Sequence, residues 1–216
     1  MKVQKKIGLF GGTFNPIHFG HINLALELQE KHLLDEVWFI PSLLSPFRTQ
    51  ENFPAIEHRL NMLALASSEI PQFKICDLEL KRSPPSYTID TIKEILKCSP
   101  EHSFFLLLGE DCLVRFMEWK EPVEIVRRVP LCVGSRPDSD FAQLLPQLGF
   151  NDEISSAIQK GLTPTRQMQI SATDLRERFK KKLYSGHLLP GKVLDYIYEN
   201  QLYSTSLRTY PDIQKT

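Results

Sequence analysis

The run SFFLLLG at residues 103–109 constrains the chain more than any other segment. It is almost continuously apolar with no polar alternation, so a strand built from it must be covered on both faces. Two-sided cover is the condition of a parallel sheet flanked by helices, and the neighbouring segments supply the alternation such a sheet requires. KIGLF at 6–10 is a short apolar strand that breaks at Gly11-Gly12, EVWFIP at 36–41 is a second ended by Pro41, and LCVGS at 131–135 is another. Helical periodicity starts near Phe19, with Ile22, Leu24, Ala25, Leu26 and Leu28 as its apolar stripe, and returns over 56–66. A further helix runs from Thr88 to Leu96, with Asp90 suited to its first turn. Helical character follows around WKEPVEIVRR (119–128), weakly over 139–148, from Thr173 to Lys182, and near 191–201. FKICDLEL at 73–80 mixes strand alternation with charge, and SLLSPFRTQENFPA at 42–55 is expected to be a mobile surface loop. The expectation is an α/β fold, a doubly wound and mostly parallel sheet with C-terminal helices.

A chain of 216 residues fits one domain, here taken as 1–216 with 171–216 as a small helical subregion. Twenty-six basic side chains balance twenty-six acidic ones, which disfavours a strongly basic nucleic-acid domain and predicts no nucleic-acid partner. Net repulsion is weak at this balance, so a homo-oligomer is compatible with it. The spacing of Cys76, Cys98, Cys112 and Cys132 contains no CxxC pair, which argues against a metal knuckle, and buried thiols in a reducing compartment are expected rather than disulfides. The start, MKVQKKIGLFGG, lacks the apolar length of a signal segment, and no stretch approaches 18 apolar residues. The expected location is the cytoplasm, with no membrane partner.

In doubly wound sheets ligands bind beyond the C-terminal ends of the strands, which places the loops after Phe10, Ile40 and Leu108 near one another. The first of these lies in GLFGGTFNPIHFGHI, residues 8–22. Adjacent glycines allow close backbone approach to a bulky ligand, yet the run is neither a dinucleotide GxGxxG nor a Walker loop. His18 and His21 stand three residues apart at a helix start, so both rings can approach one ligand, and the helix N-terminus suits phosphate. Two imidazoles without further ligands make a poor metal site, and no protein metal ligand is expected. They can instead donate hydrogen bonds to phosphate oxygens as charge develops, with no covalent nucleophile. RERFKKK at 176–182 is mostly a solvated helix face, and His58, His102 and His187 are given structural or surface roles.

The same segment resembles the HxGH nucleotidyltransferases, and within them the bacterial nicotinate mononucleotide adenylyltransferases. The family pattern GGTFDPIHxGH is matched with Asn15 at its Asp position, and the pattern ISSTxIR resembles ISATDLR at 170–176, where Ala172 replaces a Ser. PSYTIDT at 85–91, LLGEDCLVRFMEW at 107–119 and SGHLLPGKVLDYI at 185–197 are similar to further segments of the family in the same order. The resemblance implies a Rossmann-like nucleotidyltransferase fold and transfer of AMP from ATP to nicotinate mononucleotide, releasing pyrophosphate in NAD biosynthesis. It assigns His18, His21 and Arg176 to catalysis. It places Gly11, Gly12, Thr13, Phe14, Arg48, Gly109, Asp111, Ile170, Ser171 and Thr173 around ATP, with Mg2+ held mainly through the ATP phosphates and residues 171–216 closing the ATP site. Where the family commonly carries a Lys this loop reads SPFR, with Phe47 and Arg48. Tyr87, Thr88 and Trp119 are assigned to the acceptor, Trp119 as the platform for its pyridine ring. Use of nicotinamide mononucleotide as acceptor, or a noncatalytic nucleotide-binding regulator, are the alternatives. A carboxylate asks only for donors, whereas an amide also needs an acceptor.

Overall fold

Side chains of a strand alternate between faces, and the central strands here bury both sets. A computed structural model describes residues 3–43, 54–135, 145–166 and 168–204. Six strands, β1 (Lys6–Gly12), β2 (Glu36–Pro41), β3 (Phe73–Ile75), β4 (Ser103–Gly109), β5 (Leu131–Ser135) and β6 (Leu162–Pro164), form one sheet. Its order is β3-β2-β1-β4-β5-β6, and every neighbouring pair is parallel. In β4, Phe104, Leu106 and Leu108 point to one face with Ile7 and Leu9 of β1, while Leu107 points to the other with Phe10. The doubly covered strand anticipated at 103–109 is thus the heart of the sheet.

The described helices are α1 (Phe19–Lys31), α2 (Ile56–Ser67), α3 (Thr88–Cys98), α4 (Glu110–Leu113), α5 (Pro122–Arg128), α6 (Asp152–Gly161), α7 (Ala172–Lys180) and α8 (Gly191–Glu199). Ala25 and Leu28 of α1 and Met62 and Leu63 of α2 cover the Phe10 face. Ile89, Ile92 and Ile95 of α3, Ile125 of α5, and Ile154 and Ile158 of α6 cover the Leu9 face. The connections after β1 and β4 therefore cross opposite faces toward opposite edges of the sheet, and the reversal lies between those two strands. Leu175 and Phe179 of α7 and Val193, Leu194 and Ile197 of α8 bring the tail back onto the Phe10 face.

Several boundaries differ from the sequence expectation. The first strand does not stop at Phe10, because Gly11 and Gly12 stay in register with Ile40 and Pro41. Only Phe73–Ile75 of the ambiguous 73–80 segment is strand, and Leu78–Lys81 is a 3-10 turn. Helix α7 ends at Lys180, two residues early, with Lys182 turned to φ 55, and α8 ends at Glu199. Helix α6 and strand β6 were not anticipated. Their signals are an Asn151 cap whose Oδ1 accepts the Ile154 N–H at 2.9 Å and the Ile154/Ile158 pair one turn apart. Of the 139–148 segment, Leu145–Leu148 forms a 3-10 turn and 139–144 lies outside the described residues. Most of the loop expected at 42–55, with Arg48, also lies outside them. The cysteines are free thiols, but only Cys132 is buried: Cys98 ends α3 and Cys112 lies on the one-turn α4, and both face solvent.

Gly161 ends α6 directly against β5, where an added Cβ would stand 2.1 Å from the Leu131 carbonyl oxygen. That obstacle is strand backbone and cannot swing away. Gly161→Ala should lower stability by roughly 1–3 kcal/mol, read as a fall in urea midpoint at unchanged slope. Gly11→Ala, where a Cβ meets nothing within 4 Å, should leave the midpoint in place.

Candidate active site

The reversal between β1 and β4 opens a crevice at their C-terminal ends. From β1 the chain enters Thr13 and then Phe14, which holds φ 47, a left-handed conformation that strains a bulky residue. Burial holds it there. The Phe14 ring is 2 % exposed and packs within 5.7 Å of Phe10, 5.5 Å of Phe39 and 5.2 Å of His21. Gly12 makes room for it, since a Cβ there would be 2.8 Å from the ring. Any contact Phe14 makes with a ligand therefore comes through its backbone. Arg59 of α2 fastens the turn from below: its Nη1 donates to the carbonyls of Thr13 and Ser42, each at 2.8 Å, and its Nη2 to Leu43 at 3.3 Å. One buried guanidinium thus ties the loop after β1 to the loop after β2.

His18 precedes α1 in extended conformation, and its ring stacks on that of His21 with centroids 3.7 Å apart. Gly20 permits the arrangement, because a Cβ there would stand 3.0 Å from the His18 ring. His18 is 5 % exposed, and its Nδ1 has no hydrogen-bond partner among the described residues. Burial pushes its pKa down to about 4, so the imidazole is neutral at pH 7 and offers one N–H. The N-terminus of α1 is less open than the sequence implies: the Phe19 N–H already donates to the Leu188 carbonyl at 3.0 Å.

The second motif meets the first. Arg176 Nη1 donates to the Asn15 carbonyl at 2.8 Å, and Nη2 to Thr173 Oγ1 at 3.0 Å. Ser171 caps α7, its Oγ accepting the Thr173 N–H at 3.2 Å. Ile170 packs its side chain against the core of the Phe10 face. Asn15 keeps an acceptor where the family carries Asp: its Oδ1 receives the Tyr203 hydroxyl at 2.5 Å. Its Nδ2 is buried with no partner among the described residues. Gly109 and Asp111 stand at the end of β4 on the α1 side, where a Cβ on Gly109 would meet Asp111 Oδ1 at 2.5 Å and Leu24 at 3.6 Å.

On the opposite side of Gly11, Gly12 and Thr13 lies a cavity of about 370 Å³, also lined by Tyr87, Thr88 and Trp119. Its apolar wall comes from Leu9, Ile92, Leu106, Leu108 and Ile125. Beneath Tyr87 and Thr88 sits a polar network: Thr91 donates to Glu79 Oε1 at 2.8 Å and accepts from Arg82 Nη2. Burial raises the Glu79 carboxyl above its ordinary range, against the lowering effect of its bond from Thr91 and the charge of Arg82. The described residues assigned from sequence thus fall into two groups, one around His18 and Arg176 and one around Trp119, meeting at the end of β1.

A family model described as cytidylyltransferase-like matches residues 9–178. A protein of Oceanobacillus iheyensis named as a probable nicotinate-nucleotide adenylyltransferase is 35% identical over 93% of this chain and 97% of its own length. The nicotinate-nucleotide adenylyltransferase of Bacillus subtilis is 34% identical over 94% of this chain and all of its own. The chain belongs to the nicotinate-nucleotide adenylyltransferases. Its fold is shared with Plasmodium falciparum nicotinic acid mononucleotide adenylyltransferase complexed with NaAD, at TM-score 0.74 and 20% identity, covering 94% of this chain and 99% of that one.

Sequence reasoning about this adenylyltransferase site missed Arg59, Glu79, Thr91 and Tyr203. For Arg59 a signal existed, because it shares the buried stripe of α2 with Met62, Leu63 and Ala66, where a charge has no place unless it binds something. Among the described residues no helix is long and apolar enough to cross a membrane. The buried His18 links the site to stability. As pH falls from about 6.5 to about 4, the unfolded imidazole takes a proton that the folded one, held at about 4, resists, so the native state loses stability across that window. His18→Gln should lose less between pH 7 and pH 4.5 than the parent, measured as urea midpoints.

Proposed function

We propose that this chain, acting in the cytoplasm, transfers the adenylyl group of ATP to the phosphate of nicotinate mononucleotide and releases pyrophosphate. The observation that carries this reading is the shared strand end. Gly11, Gly12 and Thr13 line the Trp119 cavity and lead directly to the stacked His18–His21 pair, so a pyridine nucleotide and a triphosphate can meet there. Family membership supports the same acceptor.

An oxygen of the acceptor phosphate attacks the α-phosphorus. The new P–O bond forms as the bond to the β-phosphate oxygen breaks, and its electron pair leaves with pyrophosphate. No group of the protein is covalently modified, so the enzyme's task is to align two anions and offset their repulsion. His18 and His21 donate to the transferring phosphoryl oxygens. Arg176, with Ser171 and Thr173, receives the leaving phosphates, and Gly109 and Asp111 face the ATP ribose. Trp119 carries the pyridine ring, and Thr88 presents the backbone N–H groups of the α3 start to its substituent. Residues 171–204 form the cover of the ATP side.

Magnesium fits as a companion of ATP: the described residues contain no group of three or more His, Cys, Asp or Glu able to cage an ion, whereas the triphosphate brings its own oxygens. Bound there, it would neutralise charge on the leaving phosphates.

Purified protein given ATP and magnesium should release pyrophosphate with nicotinate mononucleotide and form the corresponding adenine dinucleotide, checked by mass. His18→Ala should lower kcat about 100-fold or more, the usual cost of a lost oxyanion donor, while ATP binding persists. ATP binding without product formation by the parent protein would refute the activity.

A further inference from the structure

The described residues lining the acceptor cavity include one cation, Lys120. It follows Trp119 in the chain, and two anchors hold its ammonium at the cavity: Nζ lies 4.8 Å from the centroid of the Tyr87 ring and 3.0 Å from Asp90 Oδ2. Tyr87 caps α3 and Asp90 lies in its first turn. Lys120 therefore stands over the same helix start at which Thr88 faces the cavity. Its pair with Asp90 is half-exposed, at 41% and 39% for the two side chains, so the contact is weak and the flexible ammonium can turn toward an incoming anion.

The other charged lining residues are acids with partners of their own. Glu118 accepts from Arg115 at 2.9 Å and 2.5 Å. Glu79 accepts from Thr91 and Ser86 and lies near the Arg82 charge. An amide on the pyridine ring brings two N–H donors that need acceptors, whereas a carboxylate needs donors only. The cavity presents an ammonium and the start of α3, while its buried acceptor is engaged. Low-dielectric walls of leucine and isoleucine strengthen a charge contact made among them.

We propose that Lys120 is the residue that makes this cavity prefer a pyridine ring bearing a carboxylate over the same ring bearing an amide. The proposal rests on the reading that the cavity takes the pyridine nucleotide. Lys120 leaves or shares Asp90 to meet the ring carboxylate, with Tyr87 keeping the ammonium over the cavity in both positions. The ribose and phosphate, common to both nucleotides, contribute no discrimination.

Binding and turnover are both measured on the full chain. Calorimetric Kd values for nicotinate mononucleotide and nicotinamide mononucleotide are compared in the parent, Lys120→Gln and Lys120→Arg, alongside KM and kcat with ATP and magnesium. Lys120→Gln should weaken nicotinate mononucleotide about tenfold, the scale of one charge-assisted hydrogen bond, and raise its KM in step with little change in kcat. Binding of nicotinamide mononucleotide should change by less than about threefold, since a neutral amide gains little from a cation. Lys120→Arg should restore the preference, and salt should erode it in the parent but not in Lys120→Gln. Equal weakening of both nucleotides would reduce Lys120 to a packing residue and overturn the proposal, as would an unchanged Kd ratio. Discriminating binding without pyrophosphate release would uphold Lys120 and refute the proposed reaction instead. A parent that binds neither nucleotide would remove both.

Discussion

The pairing of β1 with β4, in register from Lys6 with Ser103 to Leu9 with Leu106, is the constraint on which the rest depends. These strands are far apart in the chain, and each buries side chains on both faces. Cover for one face comes from the helices that follow β1 and β2, and cover for the other from those that precede and follow β4. Because the chain leaves β1 and β4 toward opposite edges, no connection crosses between the two strand ends. Into that gap project the glycine turn with its histidines on one side and the Tyr87–Trp119 cavity on the other.

The loops at this crevice are held in an unrelaxed state. Phe14 keeps a left-handed backbone because its ring is locked among Phe10, Phe39 and His21. Asn15 Nδ2 and His18 Nδ1 are buried without partners among the described residues, and each such group costs about 1–3 kcal/mol. The surrounding contacts sustain that cost: Arg59 holds three carbonyls, Arg176 holds Asn15 from the side of α7, and Tyr203 closes over the Asn15 amide. Rigid supports on both sides keep these polar groups from finding one another.

Much of this was legible in the residue pattern. Continuous apolarity identified β4, alternating strands and helices identified the winding, and Gly-Gly followed by paired histidines marked the turn beyond β1 at which His18 stacks on His21. Failures occurred where periodicity was short or diluted. Strand β6 has three residues and α6 is largely polar outside Ile154 and Ile158, so neither exceeds the background of a loop. Arg59 and Glu79 lie in segments whose character is set by their neighbours, and only three-dimensional packing shows that each is buried against specific polar groups. The Asn at position 15 and the loss of the Asp charge look like a departure in sequence, yet the acceptor function survives in space because Tyr203 donates to it.

By itself, then, the sequence determined the layer architecture, the strand that must lie at its centre and the glycine turn that follows β1, because apolar period and glycine placement act locally and can be read locally. Tertiary structure alone decided that Arg176 meets Asn15, that His18 stacks on His21 and is held neutral by burial, and that Lys120 is suspended between Tyr87 and Asp90 beside the Trp119 cavity. The Arg176 and Lys120 contacts depend on distances between residues remote in the chain, and the neutral His18 depends on the loss of water around it. Neither quantity is encoded in any single segment.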